Sequence, residues 1–263
     1  MISITHLPIV LRELEVVGIT DVAPRLRRIS LGGPQLGVFQ SAEGVQPAFS
    51  SPGPDDHIKL FFADPRSGIL TLPVQETSRL RWPRSPRALS REYTPRAFDP
   101  GSDTLELDFV GHDGGVAAQW AYGAGVGDRI HIAGPKASMA IPQAKRVLLF
   151  GDETAIPAIF NWCRMRPADV AIMAFVFSSD EAMHGLLPSD EGVEVSWLRK
   201  PLIEPEAFVD LLLSVHLSDE DFVWCGSEKA SADALRRALG RPDFPTVSSD
   251  ICNYWTKTPA RDP

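Results

Sequence analysis

Apolar and polar residues alternate along this chain with two different rhythms. From Leu11 to about Ile141 the rhythm is short. In the run DTLELDFVG, Leu105, Leu107 and Phe109 alternate with Glu106 and Asp108, the two-residue period of a half-buried strand. Related runs begin at Leu11 (LRELEVVG), Arg25 (RLRRISL), His57 (HIKLFF) and Asp128 (DRIHIAG), with glycine and proline between them. Short strands punctuated in this way predict a small antiparallel β-barrel or sandwich. VAAQWAYGA, from Val116, is the one helix expected in this half.

Beyond Pro142 the pattern becomes apolar runs alternating with helical stretches. VLLF from Val147, VAIMAFVF from Val170, VEVSWL from Val193 and FVWCG from Phe222 read as buried strands. Helices are expected through Ala158 to Arg164, from Glu206 (EAFVDLLLSV) and from Ala230 (ASADALRRAL). Continuous apolar strands separated by helices predict an α/β, doubly wound parallel sheet. The expected domains are therefore 1–142, an antiparallel β-barrel, and 143–263, an α/β domain with a C-terminal tail. PGPDD at Pro52 and RWPRSPR at Arg81 read as exposed loops.

Composition agrees with two folded domains. The 263 residues are 44% hydrophobic and 23% charged, and a chain of that length holds about two domains of ordinary size. Twenty glycines and 23 prolines favour many turns and a substantial share of antiparallel sheet. A net charge of −8 and a pI near 5.3 argue against non-specific binding to nucleic acid or to an anionic membrane. No apolar run approaches the ~20 residues that span a bilayer, and the N-terminus lacks secretory-signal order, so a cytoplasmic protein is expected. Cys163, Cys225 and Cys252 are odd in number and without CxxC spacing, which fits buried thiols in a reducing compartment. The six histidines form no HxxxH or HExxH pattern, so no resident metal site is expected.

The segment Arg91-Glu92-Tyr93-Thr94-Pro95-Arg96 concentrates two guanidinium groups, an aromatic ring and a hydroxyl in six residues. Fully extended it spans about 16 Å at ~3.3 Å per residue. Arginine binds phosphate through paired donors, tyrosine offers a flat face, and threonine can hydrogen-bond a ring nitrogen. On the residues alone this is either a cofactor-binding strand or an ordinary surface strand.

The segment resembles the RxYTxR motif of the siderophore-interacting protein family, ferric-siderophore reductases within the ferredoxin-NADP reductase-like superfamily. Further stretches resembling the family follow in order: HIKLFF at His57, FVGHDGGVAAQWA at Phe109, GDRIHIAGPKAS at Gly127, LLFGDETAIPAI at Leu148, VEVSWLRK at Val193, WCGSEKASADALRRAL at Trp224 and NYWTK at Asn253. They extend over nearly the whole chain. The resemblance implies an N-terminal FAD-binding barrel, a C-terminal NAD(P)H-binding domain, and an enzyme that passes electrons from NADPH or NADH through FAD to Fe(III) in an anionic ferric siderophore.

The same resemblance assigns residues. Arg91 and Arg96 would hold FAD phosphates, Tyr93 would stack on the isoalloxazine, and Thr94 would lie near its N5, so Tyr93 and Thr94 would be catalytic. His112, Asp113, Gly114, Gly115, Ala117 and Ala118 are similar to the family's HGxGPAS turn and helix start, with Val116 in place of proline and Ala118 in place of serine. A helix start of this kind can receive a diphosphate on its backbone N–H groups; without the family, His112 reads as a turn histidine. Gly151, Asp152, Glu153 and Thr154 would border the nicotinamide, with Cys225 and Gly226 facing it from a second strand. On the residues alone, Asp152 or Thr154 reads as a helix cap. Lys59, Arg129 and Lys257 would form a basic pocket for the chelate, Lys257 lying near the place of a family arginine. Two other readings stay open: a general NAD(P)H:flavin or ferredoxin-linked oxidoreductase, and a non-catalytic siderophore-binding protein. Ser178, Ser179 and Arg199 could neighbour the ribose 2′ position without forming a clear 2′-phosphate clamp.

Overall fold

The structure, a computed structural model, describes residues 2–77, 79–112, 114–199, 204–242 and 244–257. The chain forms two compact units, one over Ser3–Ala140 and the other beginning at Ile141.

The first unit contains β1 (Ile4–His6), β2 (Leu11–Ala23), β3 (Leu26–Gly32), β4 (Phe39–Ser41), β5 (Gly44–Gln46), β6 (Ile58–Phe62) and β7 (Val74–Glu76). It continues with β8 (Arg79–Arg81), β9 (Leu89–Tyr93), β10 (Ala97–Asp99), β11 (Thr104–Val110), α1 (Val116–Gly123), β12 (Arg129–Ala133) and β13 (Ala137–Met139). Seven of these strands form an antiparallel sheet in the order β10-β11-β3-β2-β12-β6-β9. Alternation decides its faces: Leu105, Leu107 and Phe109 of β11, Ile58 and Leu60 of β6, and Ile130 and Ile132 of β12 all enter one core. Ala117 and Ala121 of α1 pack into the same core. Two register shifts between β2 and β3 add the local twist that curls a sheet.

That curl brings the sheet's two edges together. β9 and β10 stand at opposite ends of the strand order, yet only Thr94, Pro95 and Arg96 separate them. Four Cα steps reach at most about 14 Å, so the sheet is a barrel with one open seam. The barrel is not closed, since β9 and β10 do not pair.

The second unit holds β14 (Arg146–Asp152), α2 (Ile156–Met165), β15 (Ala171–Phe177), β16 (Val193–Leu198), α3 (Ala207–Ser214), β17 (Asp221–Glu228), α4 (Lys229–Leu239) and β18 (Ser248–Trp255). Its strands make one parallel sheet in the order β16-β15-β14-β17-β18. Both faces are covered. Leu148, Phe150, Phe175, Phe177 and Val223 pack with Phe208 and Leu212 of α3 and Leu235 of α4, while Trp162 of α2 lies against Phe222 and Trp224. This double burial is why the strands read as continuous apolar runs rather than alternating ones.

Three local expectations change. PGPDD is not an exposed loop: Gly53, Pro54 and Asp56 are buried, Asp56 accepts the Gly53 N–H at 3.0 Å, and a Cβ on Gly53 would meet Asp56, Ser138 and Met139 atoms at 2.6 Å. Cys252 is half-buried rather than buried. The chain adds β18, whose mixed polar sequence SSDICNYW carries no strand rhythm and is held by its ladder to β17.

Candidate functional site

The Arg91–Arg96 segment occupies the barrel seam. It is not one straight strand, as its length in extended form had implied. Arg91 and Tyr93 belong to β9, where they face Leu60 and Ile58 of β6 and so share the inner face. Thr94 and Arg96 cross the opening, and the Arg96 N–H donates to the Glu106 carbonyl at 2.8 Å to start the β10–β11 ladder. Thr94 is 7% and Arg96 8% exposed, whereas Arg91 is exposed, with Nη1 donating to the Ser90 carbonyl. The Tyr93 ring lies 4.4 Å from the Phe109 ring, and burial pushes its phenol far above the usual tyrosine range.

A buried charge cluster anchors the same segment, and the sequence reading missed it. Asp108 accepts from Arg28 Nε at 2.7 Å and Nη2 at 2.9 Å, and Arg96 Nε lies 3.8 Å from its second oxygen. In the strand pattern Asp108 read as a polar, outward position. Only the pairing of β11 with β3, which sets Asp108 opposite Arg28, reveals its partner.

α1 starts at Gly115 with no side chain capping its first turn, which leaves backbone N–H groups there without a helical acceptor. Gly114 takes φ +79, a conformation that glycine adopts without strain. His112 Nδ1 lies 3.1 Å from the Val110 carbonyl, and its ring sits against Gly115, where a Cβ would meet Nε2 at 2.2 Å. Ala117 and Ala118 turn their methyls into the interior, so only their backbone is available to a ligand. Asp113 lies outside the described residues. Uncapped N–H groups, an exposed guanidinium and a ring backed by Phe109 fit a flavin diphosphate in donor chemistry.

In the second unit, chain order reverses between β14 and β17, the switch point at which such sheets open a ligand crevice at the strands' carboxyl ends. Gly151 and Gly226 are paired there. A Cβ on Gly151 would meet Ala155 at 2.5 Å, and one on Gly226 would meet Trp224 at 2.7 Å. Asp152 is 4% exposed and fully engaged: Oδ1 accepts from the Thr154 N–H at 2.9 Å and hydroxyl at 2.6 Å, and Oδ2 from the Glu228 N–H at 3.1 Å and Trp255 Nε1 at 2.9 Å. Burial pushes its carboxyl up, against the pull of those donors. Asp152 therefore shapes the crevice from behind. Glu153 accepts from the Ser178 hydroxyl at 2.9 Å and the Ser179 N–H at 3.3 Å, and Arg199 pairs with Glu181. The Cys225 thiol is packed in the α3/α4 core, 3.6 Å from the Ser227 hydroxyl, so only the Cys225 backbone borders the strand end.

The expected basic pocket has a different electrostatic setting. Lys59 pairs with Glu92, and Arg129 with Glu13 at 2.8 Å. Lys59 lies opposite Ala133, in β12 register with Arg129. The two cations thus share the outer face of the sheet, opposite the face of Arg91 and Tyr93. Lys257 follows β18, its N–H donating to Glu228 Oε1 at 3.1 Å.

Comparison with known proteins matches this arrangement half by half. Residues 15–139 match the siderophore-interacting FAD-binding domain, and residues 144–258 match the siderophore-interacting protein domain. The chain is 31% identical over 253 residues to the NADPH-dependent ferric-chelate reductase of Escherichia coli, covering 93% of this chain and 92% of that one. It is 30% identical over 190 residues to the ferric vibriobactin reductase ViuB of Vibrio cholerae, covering 71% of this chain and 66% of the relative. The crystal structure of a siderophore utilization protein from T. fusca superposes with a TM-score of 0.82 at 31% identity, over 98% of this chain and 97% of that one. Two domains matched in order, and a relative aligned almost end to end, make this chain a member of the siderophore-interacting protein family.

Proposed function

We propose that the protein is an FAD-containing, NADPH-dependent reductase of ferric siderophores that releases the metal as Fe(II). The carrying observation is the barrel seam, where a strand edge carries Arg91 and Tyr93 and the crossing sets the largely buried Thr94 and Arg96 beside them. When bound, FAD supplies the exchange between a two-electron nicotinamide donor and one-electron Fe(III). Hard oxygen chelators hold Fe(III) more tightly than Fe(II), so reduction loosens iron without any covalent step on the protein.

The chain's own residues bind and orient. Arg91 and Arg96 take the phosphate charge, assisted by the backbone of Gly114, Gly115, Ala117 and Ala118 at the start of α1. Tyr93 offers the ring face, stiffened by Phe109 behind it, and Thr94 the adjacent hydroxyl. Gly151, Thr154 and Gly226 border the switch point at which the nucleotide is proposed to bind, with Asp152 holding the Thr154 turn in place. Lys59 and Arg129, on the outer face of the first unit's sheet, and separately Lys257, after β18, are the cations proposed to attract the anionic chelate. The proposed domain limits are 1–142 for the FAD-binding part and 143–263 for the nucleotide-binding part. A cytoplasmic location is part of the proposal, supported by three cysteines that form no disulfide.

Anaerobic spectroscopy of the flavin-loaded protein tests this. The flavin band should bleach with NADPH and return on addition of a ferric siderophore, with Fe(II) trapped by a colorimetric chelator. Ferredoxin is the second donor to try. Bleaching without return on any ferric chelate would favour a general flavin reductase, and a protein that binds no FAD would favour a siderophore carrier.

A further inference from the structure

One lobe of the first unit opposes the charge of the rest of the molecule. Between Ala63 and Ala88 the chain carries Arg66, Arg79, Arg81, Arg84 and Arg87 against only Asp64 and Glu76, a net +3 in a chain whose net charge is −8. Both acids are engaged locally. Asp64 accepts from the N–H groups of Arg66 and Ser67 and from the Ser67 hydroxyl, and Glu76 pairs with Arg79 at 2.8 Å and Arg81 at 3.1 Å. All five arginines are exposed.

Large apolar side chains are exposed among these cations: Ile69 at 57%, Val74 at 48%, Leu70 at 42% and Trp82 at 41%. They are interleaved in space as well as in sequence. Val74 is the cross-strand partner of Arg81, and Ile69, Pro86 and Arg87 line one small pocket. The lobe is fastened to the barrel. Leu80 packs with Phe61 and Ala133, Trp82 lies 5.7 Å from the Phe61 ring, and Gln75 accepts the Leu11 N–H at 2.8 Å. The surface is thus preformed.

From this lobe we infer a peripheral docking surface for an anionic phospholipid membrane. The partner follows from what each class of anion would leave unused. A small soluble anion would pair with the arginines but leave Ile69, Leu70 and Val74 in water. A single-stranded nucleic acid could stack on Trp82, yet its bases gain little from the exposed aliphatic side chains of Ile69, Leu70 and Val74. An anionic lipid interface uses every component, with headgroup phosphates on the guanidinium groups and the apolar side chains in the acyl boundary. Overall charge conceals this surface because the acidic residues lie elsewhere in the chain.

The test is co-sedimentation of the FAD-loaded protein with vesicles of phosphatidylcholine alone and of equal parts phosphatidylcholine and phosphatidylglycerol. Binding is expected only to the second kind, and it should fall with added salt. Replacing Arg84 and Arg87 together by Gln should weaken it by about fivefold per arginine, and Ile69→Ser should weaken it at unchanged net charge. Both variants alter exposed side chains and should keep ferric-chelate reduction in solution, which reports an intact fold. No binding to anionic vesicles, or equal binding by the double variant, would overturn the inference. So would tight binding of a single-stranded oligonucleotide with none to vesicles.

Discussion

Trp255 Nε1 donates to Asp152 Oδ2 at 2.9 Å, tying the end of the last strand to the end of the first in the parallel sheet. With the Glu228 N–H on the same oxygen at 3.1 Å, it joins three strand ends around the switch point. Every partner of Asp152 is a donor, so Asp152→Asn turns an amide NH2 toward N–H or O–H groups. The expected cost is about 1–3 kcal/mol, the penalty of a buried group left unsatisfied. Trp255→Phe should cost less, about 0.5–1.5 kcal/mol. Denaturant unfolding of both single variants and the double variant checks this, and additive losses would show the two residues to be uncoupled.

Arg91 and Arg96 are proposed to act on phosphate. Replacing either by Gln should weaken FAD and FMN binding about 10- to 100-fold, the range for a lost charge-assisted hydrogen bond of about 1.5–3 kcal/mol. Riboflavin, which has no phosphate, should bind almost as before. Fluorescence titration with the three flavins measures this, and a parallel loss for riboflavin would assign the arginines a structural role instead.

Lys59 and Arg129, proposed to attract the chelate, are each already paired with a carboxylate. Glu92→Gln, or Glu13→Gln, should therefore lower the KM for an anionic ferric chelate by about two- to fivefold, as expected for an exposed pair worth up to about 1 kcal/mol. Charge reversal at Lys59 or Arg129 should raise it. Neither change should alter flavin reduction by NADPH. Steady-state kinetics on an anionic and a neutral chelate separates the effect, which should vanish on the neutral one.

Asp221 gives the second unit an acid-sensitive contact. Its burial raises the carboxyl pKa, but two hydrogen bonds from Arg146, at 3.0 and 2.8 Å, and the Ser218 N–H more than offset this and leave it below the usual 3.8. A lowered folded-state pKa means stability that is complete above 3.8 and lost as pH falls through the folded value. Arg146→Gln should lower stability at neutral pH and flatten the decline below pH 3.8. Thermal unfolding across that range in both proteins would expose a wrong assignment as parallel curves.

How far the sequence reached depends on whether a signal was local. Period-two alternation in β11 and continuous apolar runs in β14, β15 and β17 reflect one-sided and two-sided burial directly, so both fold classes were legible. The helix start at Val116 and the turn at Gly151 were legible too, because glycine and the change of period mark them within a few residues. β18 was not, since its strand state comes from its ladder to β17 rather than from its own composition.

What the sequence alone determined, then, was the fold class of each half and the chemistry of the seam segment: two arginines, a ring and a hydroxyl in a short stretch. Tertiary structure decided where that chemistry points. Curling of the sheet placed the segment between its two edges, β11–β3 pairing set Asp108 against Arg28, and the parallel sheet brought the Glu228 N–H and the Trp255 ring onto Asp152, beyond the local cap on Thr154. The physical reason is common to all three. Burial, hydrogen-bond satisfaction and charge pairing depend on residues tens of positions apart, and no local pattern encodes a partner that only the folded chain brings within 3 Å.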